Sequence, residues 1–469
     1  MKIGLVGPSY QERSLPFDAQ RTVNLYPVVD ETRKGKEVTA LYGTPGLSSF
    51  STAASGPIRG VFCSANARAF ALSGDLFYEF DSAGTATYRG TINTTGGNVS
   101  FAENSTQLAI CDGADVYIFT YATNVLAIVS DVDKPTAGTI TVQDGYFIIS
   151  KASSGEFYIS ALNDGTSWAA LDFATAESSP DSLVRVFSAV GLLWLFGDRT
   201  IEVWYNTGNV DFPFSRIEGA KMEVGCAAAH TVCQLDNSLF WVGKDKDGAG
   251  IVYRANGYSP TRISTYAIER ILGDLDNISQ LKAFTYQKDG RVFYVITGGD
   301  LSTTLVYDAS IKLWHERAFL SDGAQTQHLA SSCMYAFGKH LVGDRSSGNV
   351  YEMSQDYYSD NGAEIRRQRI FTHIFDEGRR RRLNALQVDF EAGVGLQSGQ
   401  GSDPVAILQI SPDGGRTWGN EHSTGIGAVG EYRNRCVWRR LGTIDPGPVT
   451  FKLTITDPVK VAICGAYLT

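Results

Sequence analysis

The 469-residue chain has only 4 Met and 6 His, and none of its 7 cysteines forms a Cys-x-x-Cys pair. Its longest apolar runs fall well short of the ~18 residues that a membrane helix needs. Each shortage removes a class of function. The histidines (His230, His315, His328, His340, His373, His422) are dispersed with no His-x-x-x-His or His-Glu-x-x-His spacing, so no zinc motif is present. The cysteines (Cys63, Cys111, Cys226, Cys233, Cys333, Cys436, Cys464) are odd in number and scattered, which reads as buried reduced thiols. The opening MKIGLVGPSY carries one lysine and an apolar run too short for a signal-peptide core, so a soluble protein made in the cytoplasm is expected. Its Gly7-Pro8 also breaks any likeness to a nucleotide-binding strand, since no G-x-G-x-x-G follows. Walker A, G-x-S-x-G, zinc-finger, RRM and homeodomain signatures are absent. No cofactor, metal or catalytic residue is expected, and the chain is read as a non-enzyme.

Charge is thin as well, at 19% of residues, with 41 Lys and Arg against 50 Asp and Glu for a net charge of -9. That balance argues against broad, affinity-driven binding to a phosphate backbone. What the chain has in quantity is 49 Gly, 22 Tyr and 24 Phe, the profile of many turns joining aromatic-rich strands.

Strand-like groups open near Gly60, Val99, Thr139, Leu183, Cys226, Ala283 and His328, spacings that suit one four-stranded propeller blade each. In GVFCSANARAFALSGDLFYEFDS, apolar and polar positions alternate through two strands across a Ser73-Gly74-Asp75 turn. VFSAVGLLWLFGDRTIEVWYNTG repeats that grammar across Gly197-Asp198, and SLFWVGKD, RVFYVITGG and MYAFGKHLVGDRSSGNVYEMS continue it. Only YAIERILGDLDNISQL, residues 266–281, has helical spacing, and it explains the one long interval as an insertion. After Ile370 the strands lengthen and their spacing widens, which predicts a β-sandwich. Four prolines (Pro8, Pro16, Pro27, Pro45) punctuate the first 50 residues and predict an extended arm. The expected fold is therefore all-β: an arm and first strands over 1–55, a six- or seven-bladed propeller over 56–370, and a sandwich over 371–469.

Two motifs stand out. SPDGGRTW resembles the Asp-box of sialidases, which places Ser411, Asp413, Gly415, Thr417 and Trp418 in a structural hairpin turn. A glycosidase would also need a tuned carboxyl pair, and no arrangement marks one; a glycan-active or glycan-binding, sialidase-like propeller is the alternative reading. The second motif is EIRRQRIFTHIFDEGRRRRL, where Arg366, Arg367, Arg369, Arg379, Arg380, Arg381 and Arg382 cluster in an acidic chain. Guanidinium forks at this density suit docking to carboxylate-rich partner surfaces or to DNA phosphates. The competing reading is a solvated edge strand whose charges deter aggregation.

At GDRTIEVWYNTG, LVYDASIKLW, RNRCVWRRLGTI and FKLTITDPVKVAICGAYL, and early at DAQRTVNLYP and YGTPGL, the chain resembles the packaged-DNA stabilisation proteins, the tail hub or nozzle family of short-tailed bacteriophages. The likeness keeps its order from end to end. It implies a structural virion protein, a homo-oligomeric ring of six below the portal and adaptor, which holds packaged DNA and passes it at infection. It further implies contact with a tail needle, fibres or spikes, double-stranded DNA sliding through the lumen unread, no membrane span, and assembly in the host bacterial cytoplasm into the virion tail.

Overall fold

The computed structural model describes residues 2–32, 34, 37–54, 56–176, 181–246, 248–374, 380–444 and 446–469. Strands dominate, with one α-helix, Tyr266–Gly273, and one short 3-10 turn, Ile278–Gln280, among the described residues. The chain forms two compact units, and neither is continuous in sequence. One comprises 49–301 and 329–352; the other comprises 1–48, 302–328 and 353–469.

The first unit holds the strand groups foreseen from spacing. Their leading strands begin at Ile58, Ser100, Ala137, Leu183, Gly225, Leu281 and Ala330, each two residues or fewer from its expected start. Groups one to four are four-stranded antiparallel sheets, and the fifth has five strands between Gly225 and Arg262. Within this unit the sixth appears as the hairpin Leu281–Lys288 with Arg291–Gly298, and the seventh orders Ala330–Ala336, Lys339–Asp344, Asn349–Ser354 and Gly46–Thr52. Two-residue turns set the register. Asp144-Gly145 and Asp289-Gly290 have positive φ at both positions (50° and 87°, 51° and 74°), the turn whose twist matches a right-twisted hairpin.

The core is divided into clusters, each shared by adjacent groups. Phe70, Leu72 and Phe77 of the first group pack on Leu108, Ile110 and Phe119 of the second. Similar clusters join the second to the third, the third to the fourth and the fourth to the fifth. Phe240 of the fifth group meets Tyr294 of the sixth, Tyr286 of the sixth meets His340 of the seventh, and Ile58 and Ala69 pack with Met334 and Leu341, which joins the seventh group to the first and closes a ring. This is a β-propeller.

The second unit is a sandwich. One sheet orders Leu25–Val29, Thr39–Gly43, Ala462–Leu468, Arg381–Phe390 and Cys436–Ile444, with Lys2–Ile3 on its Ala462–Leu468 strand. In the other, Ala19–Val23 pairs with Arg367–Ile370, which pairs with Thr450–Ile455, then Val405–Ser411 and His422–Gly425. Leu25, Leu41, Leu386 and Ile463 meet Phe371, Leu408, Phe451 and Leu453 in the shared core.

The N-terminal segment, expected as an extended arm with first strands over 1–55, is extended: its strands up to Gly43 run in both sheets of the sandwich unit, and Gly46–Thr52 lies beside Asn349–Ser354. Residues 302–328, which fall inside the expected 56–370 span, cluster with the terminal unit. The reason is β-pairing itself: Ala19–Val23 satisfies its backbone groups on strands about 300 and 350 residues away, which no local pattern announces.

Candidate functional site

The arginine-rich run separates into residues with opposite surroundings. Strand Arg367–Ile370 lies between Ala19–Val23 and Thr450–Ile455, and its alternation turns Arg367 and Arg369 to the same side. Both are interior, 1% and 0% exposed. Arg369 donates to the carbonyls of Leu5 (2.5 Å) and Pro8 (3.1 Å), to Thr22 Oγ1 (2.9 Å) and to Gln20 Oε1 (2.6 Å). Arg367 donates to the carbonyls of Asp457 (3.2 Å) and Tyr358 (3.3 Å). Burial pulls their pKa values down to about 9 and about 10. Expected as docking side chains, these two are instead internal clamps, because a guanidinium enclosed by backbone carbonyls presents nothing to a partner. Arg366 donates to the Gly323 carbonyl at 3.1 Å and lies 3.9 Å from Glu364. Arg380 and Arg382 are exposed. Arg379, and the side chain of Arg381, lie outside the described residues.

In the same unit Glu316 is buried and accepts from Arg21 Nε at 3.0 Å, from Ser9 Oγ at 2.9 Å and from Thr303 Oγ1 at 2.8 Å. Burial raises its carboxyl pKa, but Arg21 more than offsets this and holds it below the usual range.

The Ser411–Trp418 segment forms a self-contained turn. Asp413 accepts from Ser411 Oγ (2.7 Å), from the amides of Arg416 (3.0 Å) and Thr417 (2.9 Å), and from Thr417 Oγ1 (2.6 Å). The Gly415 amide donates back to Ser411 Oγ at 2.7 Å, and Lys452 Nζ sits 4.5 Å from the centre of the Trp418 ring. These hydrogen bonds, from Thr417 above all, hold the Asp413 carboxyl far below the ordinary range. A carboxyl so deeply ionised is useless as a general acid.

In the propeller, the leading strands surround a cavity of about 480 Å³. Arg59, Arg185, His230 and Lys282 line it, together with Asn98, Gln234 and Ser332, and no lining residue is acidic. Arg185 donates to His230 Nδ1 at 3.3 Å and lies 5.4 Å over the Phe187 ring. Burial, reinforced by the Arg185 and Lys282 charges, drives the His230 pKa well down, so the imidazole stays neutral and can accept. Sequence reading passed over these cations. Their signal is a basic residue set among apolar ones in a leading strand: IRGVF, LVRVF and LKAFT. Among the described residues no group of three or more His, Cys, Asp or Glu is arranged to hold a metal.

Two family models match the chain. The one described as "Bacteriophage P22 Gp10, beta-propeller" covers residues 1–358, and "Bacteriophage P22 Gp10, beta-sandwich" covers 366–469. No curated protein matches. Among solved structures, the chain is similar to the computationally designed Ika8 protein (13% identity, 66% of this chain and 99% of that one, TM-score 0.39). It is also similar to the N-terminal domain of Nup159 (8%, 71% and 98%, 0.41) and to PorZ, a surface component of the type-IX secretion system of Porphyromonas gingivalis (9%, 73% and 44%, 0.41). Likenesses this weak carry no argument.

Proposed function

Because the chain belongs to the bacteriophage P22 Gp10 family, the tail hub or nozzle proteins, we propose that six copies form a ring below the portal and adaptor that retains packaged DNA and releases it at infection. The chain is a structural protein of the phage tail. Assembly with itself and with the head-tail junction follows from that membership, while the number six, contacts to a needle, fibres or spikes, and assembly in the host cytoplasm belong to the proposal.

One observation carries the reading: the model named for the beta-propeller covers residues 1–358 and the one named for the beta-sandwich covers 366–469, so together they account for nearly the whole chain. The charge balance supports the mechanical part. A net charge of -9 gives DNA little to hold as it slides, since affinity for duplex grows with the number of phosphates neutralised. Arg380 and Arg382, exposed at the start of the Arg381–Phe390 strand, present guanidinium groups with which to grip a neighbouring subunit.

The test is a phage carrying a nonsense mutation in this gene. Filled heads should form and then leak, read as nuclease-sensitive DNA, and the purified chain added back should restore retention and appear as six-fold rings in micrographs. Mutant particles that keep their DNA and complete their tails would overturn the reading, as would sugar release from host glycans by the purified chain.

A further inference from the structure

The geometry points to the axial cavity of the propeller as a binding site for a small phosphate-class oxyanion, held by Arg185 and Lys282 with Arg59 beside them. The inference concerns the propeller alone and stands apart from the tail reading.

Cationic groups gather here in an acidic protein, and no acidic residue lines the cavity. Arg59 is the satisfied one: it donates to the carbonyls of Gly97 (2.9 Å), Gly74 (3.0 Å) and Thr94 (2.5 Å) and to Thr94 Oγ1 (3.0 Å). Among the described residues the one hydrogen-bond partner of the Arg185 guanidinium is the neutral His230 ring. Lys282 forms no ion pair among the described residues; burial and the charges of Arg345 and Arg59 lower its pKa to about 8. At the adjoining mouth, lined by Arg59, Lys282 and Arg345, the one acidic residue is Asp300. Its carboxylate is occupied by the amides of Asp276 (3.0 Å) and Asn277 (3.3 Å).

Cations withdrawn from water without partners are costly, and a bound anion removes that cost. The donor set selects the class. A guanidinium and an ammonium lining one cavity from two blades match an oxyanion with several acceptor oxygens, whereas chloride has a single centre to offer. The cavity of about 480 Å³ admits such an ion with water around it. Bound there, the ion would tie the leading strands of the fourth and sixth blades together.

Equilibrium dialysis of the full chain against radiolabelled inorganic phosphate at pH 7, in a chloride background of constant ionic strength, tests this. One phosphate per chain is expected, with Arg185→Gln or Lys282→Gln weakening binding about tenfold or more and Lys282→Arg retaining it. Adenosine monophosphate as competitor separates free phosphate from a nucleotide phosphate: displacement at lower concentration than phosphate itself assigns the site to the nucleotide form of the same chemistry. A thermal melt of each variant without phosphate confirms folding, and removing an unpaired cation should leave the midpoint equal or higher. No retained phosphate on the wild-type chain overturns the site, and so does equal retention by wild type and the Arg185→Gln/Lys282→Gln double variant.

Discussion

Arg21 and Glu316, 295 positions apart in sequence, form an ion pair in the sandwich unit, with Arg21 Nε 3.0 Å from Glu316 Oε1. The carboxylate side chain is 6% exposed and the guanidinium 27%. Replacing Arg21 with Met strands a buried charge and should cost about 3 kcal/mol at pH 7 in urea unfolding. The folded Glu316 carboxyl titrates below its ordinary 4.5, so the pair contributes fully above that value and its contribution fades as pH falls through the lower folded one. The penalty of Arg21→Met should therefore shrink in acid; a penalty constant from pH 7 to pH 3 would deny the pair its role.

Arg369 and Arg382 should respond oppositely. Arg369→Ala leaves the acceptors on Leu5, Pro8, Gln20 and Thr22 without their donor and should cost about 3 kcal/mol, with faster proteolysis of the first 20 or so residues. Arg380→Ser with Arg382→Ser should change stability by less than about 0.5 kcal/mol and act only on attachment to DNA-filled heads. Unaltered attachment would discard those two arginines as a docking point.

Lys282 gives the propeller a basic-side pH dependence. Its folded pKa of about 8 lies below the ordinary 10.5, so between those values the unfolded chain binds the extra proton and stability rises with pH. The gain is on the order of 3 kcal/mol across that window. Lys282→Met abolishes it, read as the wild-type minus variant difference in unfolding free energy at pH 7 and pH 10.

Gly225 marks the passage from the fourth blade to the fifth. A Cβ there would lie 2.3 Å from the carbonyl carbon and oxygen of Asp198, backbone atoms with nowhere to go. Gly225→Ala should cost about 3 kcal/mol and lower the thermal midpoint. An unchanged midpoint would mean the two segments are not in contact.

Strand groups were readable because side-chain alternation and turn chemistry are local: Asp144-Gly145 specifies its own hairpin, and the helix at Tyr266 declares its own period. Alternation even places Arg367 and Arg369 on one side of their strand and Arg366 and Gln368 on the other. What alternation leaves open is which side is covered. That depended on Ala19–Val23 and the segment from Leu5 to Pro8 arriving from the far end of the chain. The channel cations were hidden for the same reason, since Arg59, Arg185 and Lys282 are 126 and 97 residues apart and only ring closure brings them to one cavity.

The sequence by itself determined the all-β class, the blade spacing and, through its ordered resemblance, the tail family. Tertiary structure alone decided which strands from opposite ends pair, which arginines are clamps and which are surface, and where unpaired cations meet. Local periodicity sets the conformation of a strand, whereas burial and charge compensation depend on what packs against it, and in this chain those neighbours lie hundreds of residues away.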